Sequence, residues 1–261
     1  MNPDVSCIIP SFNGMDRLGA AVQSVLNQQG VNVEVVIVDD YSNAETRSFI
    51  LELASHDERI RPFFLPENGG QSVARNIGAM IARSPFIAFL DQDDEHCPGW
   101  YAAALGILRQ QPTLGALSGS AQVVDIPARF GIDETDVRIR GLSAVFMTNI
   151  VCRRSVFLAS GGFPTAEIWR SPIAGEDGAY RFALKEHWNG GGCDFPALKH
   201  WAKEGGTTVR FLDRTKVVDG KVSIVEQHEL ERNGELQATL DAFMADVARI
   251  AREGQECAVR R

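Results

Sequence analysis

The chain contains 261 residues, of which 44% are hydrophobic, and it carries a formal net charge of −8. This composition can bury the core of one α/β domain with an appendage, and its acidic balance argues against a general nucleic-acid surface. No charged leader precedes an apolar stretch at the amino terminus, and no run approaches the roughly 20 apolar residues that span a bilayer, so we expect neither a signal peptide nor a transmembrane helix.

The first half of the chain alternates between strand-like and helix-like patterns. Four mostly apolar runs predict strands, and amphipathic segments between them predict helices. The predicted strands are 5–13, 33–40, 61–65 and 86–90, and the predicted helices are 18–26, 44–55, 71–83 and 100–110. Such alternation favours a doubly wound, mostly parallel sheet flanked by helices.

Polar residues follow the first two predicted strands. Pro10, Ser11 and Asn13 stand at the end of the first strand, and Asp39 and Asp40 end the second. Because ligands of such sheets bind at the carboxyl ends of the strands, we expect these residues to share one polar crevice. Neighbouring residues on a strand point to opposite faces, so capping of the following turn is an alternative role for Asp40.

The third predicted helix begins after a pair of glycines, Gly69 and Gly70. Its first turns hold Gln71 and Arg75, where free backbone N–H groups and the helix dipole favour anions. A surface salt bridge is the alternative role for Arg75. Neither a Walker loop nor a Rossmann glycine pattern occurs, which argues against a P-loop ATPase or a dehydrogenase.

The fourth strand runs directly into three carboxylates, Asp91, Asp93 and Asp94. Clustered acids raise one another's pKa unless a cation neutralises them. Mg²⁺ and Mn²⁺ suit this place because they prefer one or two carboxylates together with substrate phosphates. The pattern therefore predicts a divalent metal site, with a helix cap or a solvated loop as the alternative.

The second half of the chain offers weaker patterns. Residues 115–124 predict another strand, and the polar stretch 125–140 predicts a mobile loop or a solvated connection. Glu176 and Asp177 open a helix that continues through 180–186, where they suit either a general base or ordinary first-turn acids. Residues 187–201 follow this helix and contain a glycine tract at 190–192 that we expect to be flexible.

Five motifs occur together in an order that resembles the family 2 glycosyltransferases. They are Ile9-Pro-Ser-Phe-Asn13, Val38-Asp-Asp40, Asn68-Gly-Gly-Gln-Ser-Val-Ala-Arg-Asn-Ile-Gly78, Leu90-Asp-Gln-Asp-Asp94 and Gly175-Glu-Asp177. The resemblance covers roughly residues 4–180 and implies a GT-A fold. It also implies transfer of a sugar from a nucleotide-diphosphate sugar donor to a sugar or glycoconjugate acceptor.

The resemblance also implies roles for individual residues. Asp39 should accept from a base N–H, as of uracil, and Asp91 should lie near the ribose or the donor sugar. Asp93 should bind the Mn²⁺ or Mg²⁺ that bridges the phosphates. Asp177 should be the base, with Glu176 holding the acceptor or orienting a neighbour. The remaining residues that the resemblance places at the donor are Pro10, Ser11, Asn13, Arg75 and Gln92.

The chain departs from the family after residue 180. Many relatives carry a histidine that completes the metal shell, but Lys216 falls near that point here, with His228 or His200 as possible ligands. No Gln-x-x-Arg-Trp run follows, so addition of a single sugar is favoured over processive synthesis. We therefore expect an inverting, metal-dependent transferase that uses a UDP-sugar. A retaining transferase of the same fold and a catalytically silent nucleotide- or glycan-binding module are the alternatives.

The carboxyl-terminal segment forms one apolar stripe at helical spacing, made of Leu236, Leu240, Phe243, Val247 and Ile250. It predicts a helical extension that docks on the catalytic domain or pairs with a second copy, and contact with a membrane surface is less favoured because acids flank the stripe. The predicted division is a catalytic domain at 1–225 and a helix with its tail at 226–261. Within the catalytic domain, 1–115 would bind the nucleotide-sugar and 116–225 would form the acceptor side.

The five cysteines are scattered and lack metal-ligand spacing. Cys7 lies within an apolar strand and is expected in the core. This cysteine usage fits a reducing cytoplasm, with the protein soluble or peripheral to the membrane.

Overall fold

The computed structural model describes residues 2–170, 175–224 and 230–259. The strands are β1 (Val5–Ser11), β2 (Val33–Asp39), β3 (Ile60–Phe64), β4 (Phe86–Phe89), β5 (Glu95–His96), β6 (Ala116–Val124), β7 (Ile150–Arg153), β8 (Gly190–Trp201), β9 (Thr215–Val218) and β10 (Lys221–Ile224). The helices are α1 (Leu18–Leu26), α2 (Ala44–His56), α3 (Gln71–Ile81), α4 (Trp100–Gln110), α5 (Val137–Ser143), α6 (Arg154–Ala159), α7 (Glu176–His187), α8 (Thr207–Arg214) and α9 (Leu230–Val259).

Eight of these strands form one sheet in the order β3-β2-β1-β4-β7-β6-β8-β5, and β9 and β10 form a separate hairpin. The pairings β3–β2, β2–β1, β1–β4 and β6–β8 are parallel. The pairings β4–β7, β7–β6 and β8–β5 are antiparallel. The predicted mostly parallel sheet is therefore confirmed, with antiparallel pairing on the side that follows β4.

Helices cover both faces of the sheet because the central strands are apolar on both sides. Cys7 and Ile9 of β1 pack with α1 and α4 in one cluster. Ile8 faces the other way and packs in a second cluster with α3, α6 and α7. This alternation is the period of two expected along a strand, and the predicted core position of Cys7 is confirmed, since its side chain is fully buried.

Gly78 is the point where α3 lies closest to the sheet. A Cβ atom at this position would stand 2.4 Å from Cγ2 of Ile8 on β1. We expect Gly78→Ala to lower the free energy of unfolding by about 1–3 kcal/mol, because the added methyl overpacks the interface. Gly106 on α4 is the matched control: nothing lies within 4 Å of its added Cβ, so Gly106→Ala should raise stability by up to about 1 kcal/mol. Urea titrations of the two variants measure both effects, and equal midpoints would contradict the proposed close contact.

The glycine tract at 190–192, which was predicted to be flexible, forms the beginning of strand β8. Gly190, Gly191 and Gly192 pair with residues 116–118 of β6. A Cβ at Gly190 would lie 3.1 Å from Cα of Lys185, and one at Gly191 would lie 3.0 Å from Leu114. The glycines thus allow close packing, and the prediction of flexibility was wrong.

The polar stretch 125–140 is folded in large part. It contains a 3-10 turn at Ala128–Phe130 and the start of α5, where Asp136 caps the helix by accepting from Arg138 N at 2.8 Å. Ile139 is buried against α8 residues in a small apolar cluster. Two of the charged residues that suggested a loop, Asp136 and Arg138, pair with each other and are only 14% and 12% exposed.

The carboxyl-terminal helix α9 docks on the catalytic domain, which was one of the two predicted alternatives. Its apolar stripe packs against α7 and α6, and Val247 is almost fully buried. The ring of Phe243 meets Trp169 edge-on with 6.1 Å between centroids. Homodimer formation, membrane contact and the domain boundary at 115/116 stay predictions.

Among the helices that the structure describes, none combines the length and the apolar character that a membrane span needs.

Candidate active site

The carboxyl ends of β1, β2 and β4 meet at one edge of the sheet, as predicted. A cleft of about 980 Å³ opens there, between the strand ends and helices α7 and α8. Seven of the predicted site residues line this cleft. They are Pro10, Ser11, Asp91, Gln92, Asp93, Glu176 and Asp177.

The other predicted donor residues, Asn13, Asp39 and Arg75, do not line the cleft. Asn13 joins two loops, since its N–H donates to Ser42 Oγ at 3.0 Å and its Oδ1 accepts from Asn43 N at 2.9 Å. Asp39 and Arg75 are fully buried. The predicted ligand His228 lies outside the described residues.

Asp39 ends β2 and has one oxygen without a partner. Its Oδ2 accepts from Ser42 N at 3.2 Å and lies 3.7 Å from Arg47 Nε. Its Oδ1 is buried and meets no hydrogen-bond donor among the described residues. Buried polar oxygens are rarely left unpaired, so this atom suits an N–H donor brought by a ligand.

Asp40 does not cap the turn after β2, which was the alternative role considered for it. Its Oδ1 and Oδ2 accept from the backbone N–H groups of Gly69 at 2.6 Å and Gly70 at 2.9 Å, ahead of α3. Burial raises the pKa of Asp40 even though both N–H groups oppose the shift. Arg170 holds the same loop from the other side by donating to Gly69 O at 2.5 Å.

Gln92 connects the acid-rich loop after β4 to the end of β1. Its Oε1 accepts from Ser11 Oγ at 3.0 Å and from Phe12 N at 3.1 Å. Its Nε2 lies where a Cβ on Gly14 would stand, 2.2 Å from that position. Gln92 therefore forms part of the cleft floor, and a side chain at Gly14 would displace it.

Arg75 links the two sides of the cleft. Its Nη2 donates to Asp91 Oδ1 at 2.7 Å, and its Nη1 donates to Asp177 Oδ1 at 2.5 Å. Burial alone would lower the pKa of Arg75, but the charges of Asp177 and Asp91 raise it overall. The surface salt bridge considered for Arg75 is wrong, since the group is wholly buried, and direct contact with the donor stays a prediction.

Glu176 and Asp177 open α7, as predicted, directly after Gly175 in a left-handed conformation with φ of 67°. Burial and the neighbouring charge of Asp177 raise the pKa of Glu176 to about 7, although Arg75 opposes the shift. Burial also raises the pKa of Asp177 against the effect of Arg75. Carboxyl groups with raised pKa values at a cleft are suited to proton transfer near neutral pH.

Lys203 is the site residue that the sequence reasoning missed. Its Nζ lies 3.1 Å from Asp93 Oδ2 at the cleft wall. Lys216, which was placed near the metal position, is instead exposed on β9 and does not line the cleft. Recognising 190–201 as a strand would have directed attention to the loop that follows it, where Lys203 lies.

His200, which lines the cleft, pairs with the buried Asp94. Asp94 Oδ2 lies 2.8 Å from His200 Nδ1, and His200 Nε2 lies 2.8 Å from Thr208 Oγ1. Both ring nitrogens of His200 are engaged by protein groups, and a metal-binding role for this histidine stays a prediction. Burial raises the pKa of Asp94 to about 6. Burial works to lower the pKa of His200, but its bond to Asp94 outweighs it and raises that pKa.

The pair predicts a fall of stability with rising pH. Both groups have raised pKa values in the folded protein. In the unfolded chain aspartate has a pKa of about 3.9 and histidine one of about 6.5. Above about pH 4 the folded state therefore binds more protons than the unfolded chain. This part of the free energy of unfolding is fully present at low pH and is lost as pH rises through the two folded pKa values. Urea titrations between pH 5 and 8 should give a shallower pH slope for the double variant Asp94→Asn/His200→Gln than for the parent. Parallel slopes would contradict the prediction.

Asp93 is the acid best placed to hold a divalent metal. Asp91 is bound to the buried Arg75, and Asp94 is itself buried against His200. Asp93 is paired with Lys203 through Oδ2, but both side chains are partly exposed in the cleft, at 37% for Asp93 and 44% for Lys203. The described part of the chain contains no cluster of three His, Cys, Asp or Glu groups arranged around a metal position. A single carboxylate still fits Mg²⁺ or Mn²⁺, because these ions take their other ligands from phosphates and water.

Comparison with known proteins gives a consistent result. Residues 6–136, half of the chain, match the family described as glycosyl transferase family 2. The teichuronic acid biosynthesis glycosyltransferase TuaG of Bacillus subtilis, whose assignment is marked as putative, is 43% identical over 93 residues, which are 36% of this chain and 37% of that protein. The Escherichia coli UDP-Glc:alpha-D-GlcNAc-diphosphoundecaprenol beta-1,3-glucosyltransferase WfgD is 40% identical over 90 residues, which are 34% and 35% of the two chains. The aligned segment thus spans little more than a third of these relatives' length.

Solved structures share the fold over a longer part of the chain. The crystal structure of S. aureus TarS 1–349 in complex with UDP-GlcNAc matches with a TM-score of 0.62 and 21% sequence identity, covering 79% of this chain and 60% of that one. TarS 1–349 in the structure without a named ligand matches with a TM-score of 0.61. At this level of identity the likeness concerns the fold alone.

Proposed function

Because the chain belongs to glycosyl transferase family 2 and has that family's GT-A fold, we propose that it is an inverting, metal-dependent glycosyltransferase. It moves one sugar from a nucleotide-diphosphate sugar to a hydroxyl group of a sugar or glycoconjugate acceptor. The contact that carries the proposal is the bond of Arg75 to both Asp91 and Asp177. This bond fixes a candidate base beside a donor-side acid within one cleft.

The cleft residues divide the chemistry between them. Asp177 accepts the proton of the acceptor hydroxyl as that oxygen attacks the anomeric carbon, and Glu176 holds the acceptor. Lys203 neutralises charge on the departing diphosphate. A metal ion on Asp93 would supply further stabilisation of that charge when bound. Arg75 keeps the base and Asp91 in a fixed relation, so that little rearrangement accompanies the transfer.

UDP is the nucleotide that we propose for the donor. The unpaired, buried Oδ1 of Asp39 can accept the one N–H that a uracil base offers. Among the similar proteins, WfgD is named for a UDP-Glc donor and the TarS structure was obtained with UDP-GlcNAc. A role in glycan or glycoconjugate biosynthesis is supported by the names of the same relatives and of TuaG.

Nucleotide binding provides the first test. UDP, GDP, dTDP and CDP would each be added with Mn²⁺, Mg²⁺ or EDTA, and thermal unfolding would be followed. We expect UDP with a divalent metal at about 100 times its Kd to stabilise the protein by about 2.7 kcal/mol. This should shift Tm by roughly 5–10 °C for a chain of this length. Stabilisation by UDP that EDTA leaves unchanged would contradict metal dependence, and no shift with any nucleotide would contradict the donor site.

The retaining alternative predicts the opposite product. Inversion by direct attack of the acceptor gives a product whose anomeric configuration differs from that of the donor. NMR of the first product formed distinguishes the two outcomes, because the anomeric proton coupling reports the configuration. Retention would remove Asp177 from the role of base while leaving the donor site intact.

A further inference from the structure

The walls of the cleft carry opposite charges. The strand ends and α7 supply Asp91, Asp93, Glu176 and Asp177, whereas the facing wall is built on α8 and the loop before it. That second wall presents three cations to the cleft, namely Lys203, Arg210 and Arg214. Lys203 is paired with Asp93 and therefore lies at the donor end.

Arg210 and Arg214 are the cations of this wall without a carboxylate. They are four residues apart on α8, so both lie on one helix face about 6 Å apart along the axis. Arg210 donates through Nη1 to Gly205 O at 2.7 Å, and its buried Nε meets no acceptor in the described residues. Among those same residues neither arginine forms an ion pair, while Arg129, outside the cleft, is paired with both Glu204 and Asp213.

A half-buried guanidinium facing an enclosed cleft suits an anionic ligand. Its planar fork of N–H donors matches two oxygens of a phosphate group better than a lysine does. The amino terminus of α8 adds to this preference, because no side chain caps it and Thr207 lines the cleft. Lys203 already supplies a cation for the donor's diphosphate, which leaves the two arginines for a second anionic group.

Resting on the proposed function, we propose that Arg210 and Arg214 bind a phosphate group of the acceptor. The acceptor is then a phosphate-bearing sugar or glycoconjugate, held by its phosphate on α8 while its hydroxyl group meets Asp177. This wall selects among acceptors by charge, a property that neither the donor site nor the base provides. Lys203 stays with the donor's diphosphate in this arrangement.

The test uses the full chain saturated with UDP and Mg²⁺, titrated by calorimetry with N-acetylglucosamine 1-phosphate or with uncharged N-acetylglucosamine as probes. We expect the phosphorylated sugar to bind the parent protein at least tenfold more tightly. Arg210→Gln/Arg214→Gln should remove this preference and leave the Kd of UDP within twofold. The control Arg129→Gln removes a positive charge outside the cleft and should change neither Kd. The circular dichroism and Tm of each variant verify that it is folded.

Two results would overturn the inference. Equal binding of both probes to the parent protein would show that no phosphate site exists, and weaker UDP binding in the double variant would assign the arginines to the donor's diphosphate instead. Failure of the proposed function gives a different result, because the parent protein would then not bind UDP in the first step of the experiment.

Discussion

Replacing Asp177 by asparagine is expected to lower kcat by about 10³-fold, within the range by which general bases accelerate reactions. Asparagine keeps the size of the side chain and an oxygen that can accept from Arg75, but it cannot take a proton. The Kd of UDP should therefore stay within about threefold of the parent value. Single-turnover transfer assays and calorimetric titration with UDP measure the two quantities separately.

Glu176→Gln is the matched control for this variant. Glu176 lies one residue before Asp177 on α7 and shares its raised pKa, but its proposed task is to hold the acceptor. We expect a rise in acceptor KM of about tenfold with a smaller change in kcat, as follows when a binding interaction is removed. If Glu176→Gln lost kcat and Asp177→Asn kept it, the two roles would have to be exchanged. If both variants retained activity, neither acid would be the base.

Arg75→Met is expected to destabilise the protein by about 3–5 kcal/mol, since removing the buried cation leaves two partly buried carboxylates close together without compensation. The Asp91 and Asp177 side chains are 31% and 25% exposed, whereas Arg75 is wholly buried between them. Methionine has a similar length and no charge, so the effect is electrostatic in the main. For a chain of this size a loss of that magnitude lowers Tm by roughly 6–20 °C.

The pH dependence of this variant provides an internal check. Without Arg75, the charge of Asp177 is repelled by that of Asp91, and Asp177, whose pKa burial raises, takes up a proton on acidification and loses this penalty. The stability difference between parent and Arg75→Met should therefore shrink as pH falls from 8 to 5. Arg249→Met is the control: Arg249 pairs with Asp246 and Glu253 on the exposed side of α9, and such pairs contribute little. A stable Arg75→Met protein with the parent's pH profile would contradict the electrostatic role.

The strand ends were predictable because their signal is local. An apolar β-branched run followed at once by acids places Asp39 and Asp91 at the edge of a parallel sheet without knowledge of any distant contact. The same local pattern gave helix α4 with its observed limits, Trp100–Gln110. Resemblance to the family then supplied roles that the pattern alone left open.

The connections across the cleft could not be predicted in this way. Arg75 is separated from Asp177 by 102 residues, and His200 from Asp94 by 106. No periodicity relates such positions, because their contact depends on how the second half of the sheet pairs with the first. The glycine run at the start of β8 was wrongly predicted to be flexible for the same reason. Its packing against Leu114 and Lys185 depends on the three-dimensional fold.

The unpaired oxygen of Asp39 favours nucleotide binding but lowers the stability of the protein. A buried carboxylate oxygen without a hydrogen-bond donor lowers the stability of the protein, and substitutions that remove this oxygen relieve that penalty. Laboratory evolution that rewards heat resistance alone would accept such substitutions at residue 39. The resulting variants would be more stable but would bind the nucleotide more weakly. Selection for stability in this protein therefore needs the ligand present at every round.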